Sequence, residues 1–191
     1  SLTYLPLPEH VHFGRVQLVQ KTGPYLLALS YATNSLVCFK NGQLLYHLDR
    51  QGQGPGEFNS LYTFALDLAK GELVAYDRGL MKFVYMELES GKLKREQKVS
   101  YWISTMESFD ESNWLITTDV EEKDYVFLLD KERLTDKTPL ISSSYQLIKD
   151  AVFNQSFSTS DSGLHFLEPF THLLYTFQTP QKKAKAELRL D

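Results

Sequence analysis

Residues 23–48 read GPYLLALSYATNSLVCFKNGQLLYHL, and this stretch decides the fold class. It holds three short runs of apolar, aromatic and β-branched residues, which are separated by Asn34 and by the pair Asn41-Gly42. Short runs of this composition, divided by residues that favour turns, are typical of β-strands joined by tight connections. The stretch therefore predicts consecutive strands of one antiparallel sheet.

The same order of elements recurs along the chain. Four apolar runs each follow a group of turn residues: 26–29, 73–76, 114–116 and 164–167. A second run follows each of them after about ten residues, beginning at Val37, Val84, Val126 and Leu174, so the spacings are 47, 42 and 48 residues. An earlier element precedes each turn, at 16–19, 64–68, 105–109 and 153–157. Spacing this regular indicates a repeat protein.

Each repeat holds about four short strands, and a period in the forties with four strands is typical of a β-propeller blade. We therefore predict an all-β, single-domain chain whose blades span about 14–50, 59–98, 101–140 and 146–191. A β-sandwich is the alternative, but it would not repeat the same strand order four times. Because rings usually need more blades, we expect further chain, a partner or a second copy to cover the exposed blade faces.

Composition excludes several classes of protein. The chain has 191 residues, 20 Lys and Arg against 24 Asp and Glu, and 42% apolar residues, so it is an ordinary globular sequence. Its net charge of −4 argues against binding to a nucleic-acid backbone, and no apolar run is long enough to span a membrane. The single cysteine, Cys38, excludes an internal disulfide and is expected to be a buried thiol. The first residues do not read as a signal peptide.

The most distinctive local motif is DRQGQGPGEF, residues 49–58. Three glycines around one proline favour a tight connection that uses positive φ angles. A phosphate cradle is one interpretation, but neither a P-loop nor a dinucleotide fingerprint is present. The other is a connector between blades, in which Phe58 packs between sheets and the Glu57 carboxylate accepts hydrogen bonds from backbone amides. The structural residues of this motif are Gly52, Gly54, Pro55, Gly56, Glu57 and Phe58.

These residues resemble a bacterial family of six-bladed β-propellers related to NHL and TolB-like repeats. The resemblance includes residues 34–43, the GQGPGEF segment at 52–58, the strand 74–77, and the segments 4–8 and 166–175. It implies a six-bladed ring, of which about four blades are present. It also implies an exported protein, often a lipoprotein, in the periplasm or at the outer membrane of a Gram-negative bacterium. Most members have no known activity.

Catalytic chemistry has little support in the sequence. A hydrolase elbow of the Gly-x-Ser-x-Gly type is missing, and His10 and His12 alone would make a weak metal site. Asp67, Glu107 and Asn154 lie in or beside the first strands of three successive repeats, and oxygen ligands of this kind suit calcium. The alternative function is thus a cation-dependent hydrolase or lactonase-like enzyme with an axial metal.

Binding without catalysis agrees better with the sequence, and no cofactor is expected. Glu57, Tyr101, Trp102 and Trp114 are the candidate ligand-binding residues, since aromatic side chains combine a large apolar area with a polar tip. Packing between or within blades is the alternative role for the three aromatic residues. The sequence therefore predicts a non-enzymatic module of the cell envelope that binds a glycan or a protein.

Overall fold

The structure is a computed structural model, and it describes residues 5–118, 124–142, 157–160, 163–167, 173–178 and 183–189. The chain divides into two compact units, Ser1–Ser100 and Tyr101–Asp191. Each unit contains two four-stranded antiparallel sheets, and in every sheet the strands pair in chain order. Within the described residues no segment forms a helix, and no helix there could cross a membrane.

The first unit contains sheets 1 and 2. Sheet 1 consists of β1 (Leu18–Thr22), β2 (Tyr25–Ser30), β3 (Ser35–Lys40) and β4 (Gln43–Leu48). Sheet 2 consists of β5 (Leu61–Asp67), β6 (Glu72–Asp77), β7 (Lys82–Glu87) and β8 (Leu93–Lys98). The turn between β3 and β4 shows why these hairpins form, because Asn41 and Gly42 have φ angles of 51° and 81°. Two successive positive φ angles match the twist of the flanking strands.

Sheets 1 and 2 pack against each other through a buried apolar core. From sheet 1 come Leu27, Leu29, Leu36, Cys38 and Leu48, and from sheet 2 and its neighbours come Phe58, Leu61, Phe64, Leu66, Leu73, Ala75, Val84, Met86 and Leu88. The opposite face of sheet 1 is covered by a segment that we call the strap, residues 5–14. Leu5, Leu7, Val11 and Phe13 of the strap pack against Ala28, Val37 and Phe39.

The second unit contains sheets 3 and 4. Sheet 3 consists of β9 (Thr105–Ser108), β10 (Asn113–Thr117), β11 (Asp124–Asp130) and β12 (Lys137–Ser142). Sheet 4 consists of β13 (Phe157–Ser160), β14 (Gly163–Leu167), β15 (Leu173–Gln178) and β16 (Lys183–Arg189). Pro139 lies in β12 at the edge of sheet 3, where a residue without an amide hydrogen is tolerated. The two sheets share a core that includes Leu115, Leu128, Phe166 and Phe177.

The predicted all-β fold of four-stranded antiparallel sheets is confirmed, and the described part of the chain contains four such sheets. The strands begin and end a few residues away from the predicted elements. Residues 16–17 precede β1, whereas β5 starts at Leu61, three residues before the predicted element. Residues 153–156, which were assigned to the first strand of the fourth repeat, lie outside the described residues.

Candidate functional site

The glycine-rich connector at residues 49–58 folds around its own glutamate. The backbone amide of Gly54 donates a hydrogen bond to Oε2 of Glu57 at 2.8 Å, and the amide of Glu57 donates to the carbonyl of Gly54 at 3.1 Å. A Cβ atom on Gly52, where φ is 153°, would lie 2.0 Å from the same carboxylate oxygen. The amide of Gly54 therefore binds the chain's own carboxylate, and a side chain at Gly52 would clash with it.

The same connector is anchored to both sheets of the first unit. Phe58 is fully buried in the core between the sheets, and its amide donates to the carbonyl of Arg50 at 2.7 Å. The amide of Gly56 donates to Oε1 of Glu96 at 2.9 Å, and Nζ of Lys82 donates to that oxygen at 2.6 Å. Burial opposes ionisation of Glu96, but these two hydrogen bonds and the nearby lysine charges lower its pKa below the usual range.

Two polar side chains tie the connector to the neighbouring turns. Asn34, with φ 48°, donates from Nδ2 to the carbonyl of Phe58 at 3.0 Å and accepts from the amide of Leu61 at 2.6 Å. The buried carboxylate of Asp77 accepts hydrogen bonds from the amides of Asn59, Ser60 and Leu80. The turns β2–β3 and β6–β7 are therefore held at fixed positions beside the connector.

An exposed aromatic surface lies on these turns. The rings of Tyr31 and Tyr62 are stacked, with centroids 5.3 Å apart and an angle of 6° between their planes. The guanidinium carbon of Arg78 lies 4.8 Å from the centre of the Tyr62 ring. Tyr31 is 39% exposed. We call Tyr31, Tyr62 and Arg78 the tyrosine ledge.

Hydrogen bonds hold the backbone of the tyrosine ledge, and the pKa of the Tyr31 hydroxyl is raised. The amide of Tyr31 donates to Oε1 of Gln17 at 2.7 Å, and the amide of Arg78 donates to the carbonyl of Ser60 at 2.8 Å. Burial, together with the neighbouring Tyr62, raises the pKa of Tyr31 to about 12, while Arg78 acts in the opposite direction. The Tyr31 hydroxyl, like that of any tyrosine, is protonated at neutral pH and can donate a hydrogen bond.

The three aromatic residues that the sequence singled out differ in how deeply they are buried. Tyr101 donates from its hydroxyl to the carbonyl of Leu134 at 2.5 Å, and Nζ of Lys137 lies 4.5 Å from the centre of its ring. Trp102 is 49% exposed. Tyr101 is half-buried, so only Trp102 is exposed, and the role of both residues in binding stays a prediction.

Trp114 takes the packing role that the sequence left open. It is 1% exposed and lies in β10, where Nζ of Lys131 sits 4.3 Å from the centre of its ring. The same ammonium group bonds the hydroxyl of Ser108 at 2.9 Å. An indole this deeply buried cannot belong to an exposed platform, because its face is already covered by the protein.

The candidate metal ligands are distributed over both units. Asp67 is buried at the end of β5, where it accepts a hydrogen bond from the amide of Lys70, and Glu107 lies in β9 of the other unit. Asn154 lies outside the described residues. In the part of the chain that the structure describes, no three His, Cys, Asp or Glu side chains are grouped to hold a metal ion. Calcium binding stays a prediction.

The remaining sequence candidates have structural or exposed positions. Cys38 is a free, fully buried thiol, and burial raises its pKa, so it is a poor nucleophile. His10 and His12 are both exposed on the strap. The tyrosine ledge was missed by the sequence analysis, although one signal was present. Tyr31 is a large aromatic residue inside a turn, outside any apolar run.

The chain is similar to known propellers. A family model described as "6-bladed beta-propeller" matches residues 1–191. A crystal structure of a "putative exported protein" from Bacteroides fragilis has 20% sequence identity and a TM-score of 0.77, and the match covers 95% of this chain and 52% of that one. The search of curated proteins gives no match.

Two further solved structures have lower identity. The Cps50 (Swd1) β-propeller domain of Myceliophteria thermophila is 13% identical with a TM-score of 0.55, and the match covers 95% of this chain and 57% of that one. The Pan2 WD40 domain of Neurospora crassa is 10% identical with a TM-score of 0.55, and the match covers 89% of this chain and 50% of that one. At such identities the likeness shows the fold alone. The chain spans about half the length of the three structures.

Proposed function

Because the chain belongs to the 6-bladed β-propeller family, we propose that it is a non-enzymatic, exported propeller that binds a ligand or protein in the bacterial cell envelope. The likeness to a Bacteroides fragilis protein described as exported supports the proposal that this chain is exported. The observation that carries the binding role is the tyrosine ledge, in which the exposed ring of Tyr31 stacks on the ring of Tyr62, and Tyr62 in turn contacts the guanidinium of Arg78. Aromatic and arginine side chains are the residues that most often dominate binding surfaces.

The ledge is suited to binding because its parts are already in place. Asn34 and Asp77 hold the two turns that carry Tyr31 and Arg78, so little conformational freedom is lost when a ligand binds. The net charge of −4 gives no support to a nucleic-acid partner. A glycan or a protein segment is the class of partner that fits.

A binding screen tests this proposal. Purified wild-type chain and the Tyr31→Ala variant are screened against a phage-displayed library of random peptides and against a panel of soluble polysaccharides. We expect at least one ligand from either collection to bind the wild type and to be lost with Tyr31→Ala. If no ligand from either collection depends on Tyr31, the proposed binding role of the ledge is wrong.

The enzymatic alternative has its own readout. Thermal melting is measured in millimolar calcium chloride and in EDTA, and hydrolysis of lactones and phosphoesters is measured with calcium present. The proposal expects the same melting temperature in both buffers and no turnover above background. A calcium-dependent rise in melting temperature together with hydrolysis would overturn it in favour of the cation-dependent enzyme, since a bound metal generates the nucleophile from water.

A further inference from the structure

We propose that the tyrosine ledge binds a polysaccharide, with the exposed ring of Tyr31 stacking on the C–H face of one pyranose unit. This inference rests on the proposed binding function and names the class of ligand. A pyranose ring has C–H groups on its faces and hydroxyls around its rim. The C–H groups carry small positive charges and are attracted to the negative face of an aromatic ring.

The geometry of the ledge favours a flat ligand. Tyr31 and Tyr62 are nearly parallel, so the ring of Tyr31, the more exposed of the two, is supported on one face by the ring of Tyr62. A proline-rich peptide instead docks into a groove that is lined by aromatic rings on its walls. A single supported ring of this kind offers one flat face, which matches the face of a sugar better than the ridged surface of a peptide.

Polar groups near the ring match the rim of the sugar. The Tyr31 hydroxyl is protonated at neutral pH and is a donor as well as an acceptor. The guanidinium of Arg78 contacts the adjacent ring of Tyr62, and the side chain of Gln17 is anchored at the backbone of Tyr31. The site therefore combines an apolar face with donors and acceptors at its edge, which is the pattern that orients a polar ligand.

The ledge also lies where an extended ligand can reach it. Tyr31 lies in the β2–β3 turn of sheet 1, while Tyr62 and Arg78 lie in β5 and the β6–β7 turn of sheet 2. The surface is thus shared between two sheets and is built on their turns. A polymer that passes over these turns can place one unit on Tyr31 without entering a closed cavity.

Affinity electrophoresis in native gels tests the inference. The probes are soluble polysaccharides cast into the gel: hydroxyethyl cellulose, xylan, glucomannan, dextran and polygalacturonate. We expect at least one of them to retard the wild-type chain. Tyr31→Ala should weaken that binding about tenfold or more, as expected for the loss of a central aromatic contact. Tyr31→Phe should retain most of it, since the ring remains.

Two controls separate binding from folding. Leu68→Ala removes an exposed apolar side chain from the β5–β6 turn, at the opposite end of sheet 2 from Arg78, and should leave the retardation unchanged. Thermal melting of each variant shows whether Tyr31→Ala is folded at the temperature of the gel, and if it is not, Tyr31→Leu replaces it. Retardation that does not change in the folded variant without a ring overturns the inference.

The failure of this inference differs from the failure of the proposed function. If no polysaccharide retards the chain but a displayed peptide binds in a manner that depends on Tyr31, the carbohydrate assignment is wrong and the binding role stands. If both collections give nothing that depends on Tyr31, the proposed function is wrong as well.

Discussion

The two faces of sheet 1 are covered in different ways. One face packs on sheet 2 and on Phe58, and its central residues Leu27, Leu29 and Leu36 are completely buried. The other face packs on the strap, which covers it with residues that are themselves only partly buried. Because successive residues of a strand point to opposite faces, β2 supplies Leu27 and Leu29 to the first face and Leu26 and Ala28 to the second.

This difference shows what a continuous apolar run means. A strand that is buried on both faces needs apolar residues at every position, as in parallel sheets or inside a stack of sheets. The run 26–29 has this pattern, yet one of its two partners is a sheet and the other is an extended segment. The strap has the same covering role as a neighbouring sheet, but with less burial and no strand pairing.

The largest expected effect compares the two faces directly. Leu29→Ala on the face toward sheet 2 should reduce the free energy of unfolding by about 3–4 kcal/mol, since it leaves a cavity in a closed core. Leu26→Ala, the same change on the strap side, should cost about 1–2 kcal/mol, because the partly buried strap can settle into the space. Urea unfolding measures both. Equal losses would mean that the strap packs as tightly as a sheet.

The next effect concerns the junction of the two sheets. Asn34→Ala should reduce the free energy of unfolding by about 2–3 kcal/mol, because it removes the acceptor of the buried Leu61 amide and one of two hydrogen bonds to the carbonyl of Phe58. The amide of Gly52 still donates to that carbonyl at 3.0 Å. Asn41→Ala is a matched control. Both asparagines have a positive φ of about 50°, so alanine introduces similar backbone strain at the two positions. Chemical denaturation measures the free energy of unfolding of both variants, and the difference between them is the contribution of the two Asn34 hydrogen bonds. If the variants unfold alike, Asn34 contributes only its backbone conformation.

A smaller effect tests the folding of the connector around Glu57. Gly52→Ala should cost about 1–3 kcal/mol, since it combines an unfavourable φ of 153° with displacement of the Glu57 carboxylate. Gly23→Ala, at a φ of 57° with open space around it, should cost only the backbone strain of about 1 kcal/mol. Differential scanning calorimetry compares them. A loss in Gly52→Ala that disappears in a Glu57→Ala background would assign the effect to the carboxylate.

The smallest effect is the dependence of the junction on pH. The folded pKa of Glu96 is lowered, so its contribution to stability is present above the unfolded pKa and is lost as pH falls through the folded pKa. At neutral pH the free energy of unfolding of the wild type should exceed that of Glu96→Gln by about 1 kcal/mol. This difference should disappear below about pH 4. Glu111→Gln, an exposed carboxyl of the other unit, should show no such gap. A gap that is constant with pH would contradict the role of ionised Glu96.

The sequence was sufficient for the repeat and for most strands, because these depend on neighbouring residues. Turn residues such as Asn41 and Gly42 favour particular backbone angles by themselves. Continuous apolar runs such as 73–76 indicate a strand that is buried on both faces. The sequence predicts a connector that places Phe58 between sheets, and in the structure Phe58 lies in the core shared by sheets 1 and 2. The backbone hydrogen bond to Glu57 was also expected from the motif.

The candidate site could not be predicted in the same way. Trp114 begins the repeated apolar run 114–116 and is buried in β10, whereas Trp102 lies outside the repeated runs and is half exposed. The run predicts a strand for Trp114, but it does not say how deeply the ring is buried. Tyr31 and Tyr62 come from different repeats, so their stacking depends on the packing of sheet 1 on sheet 2. Such contacts between distant residues leave no periodic signal in the chain.

The sequence by itself therefore determined the all-β fold and most strands of the described residues. The tertiary structure alone decided which layer covers each face of sheet 1, and which aromatic rings remain at the surface. The physical reason is that turn preferences and alternation act over a few residues. The tyrosine ledge instead exists because two sheets, each satisfied in its own hydrogen bonds, pack in one relative position and bring their turns together.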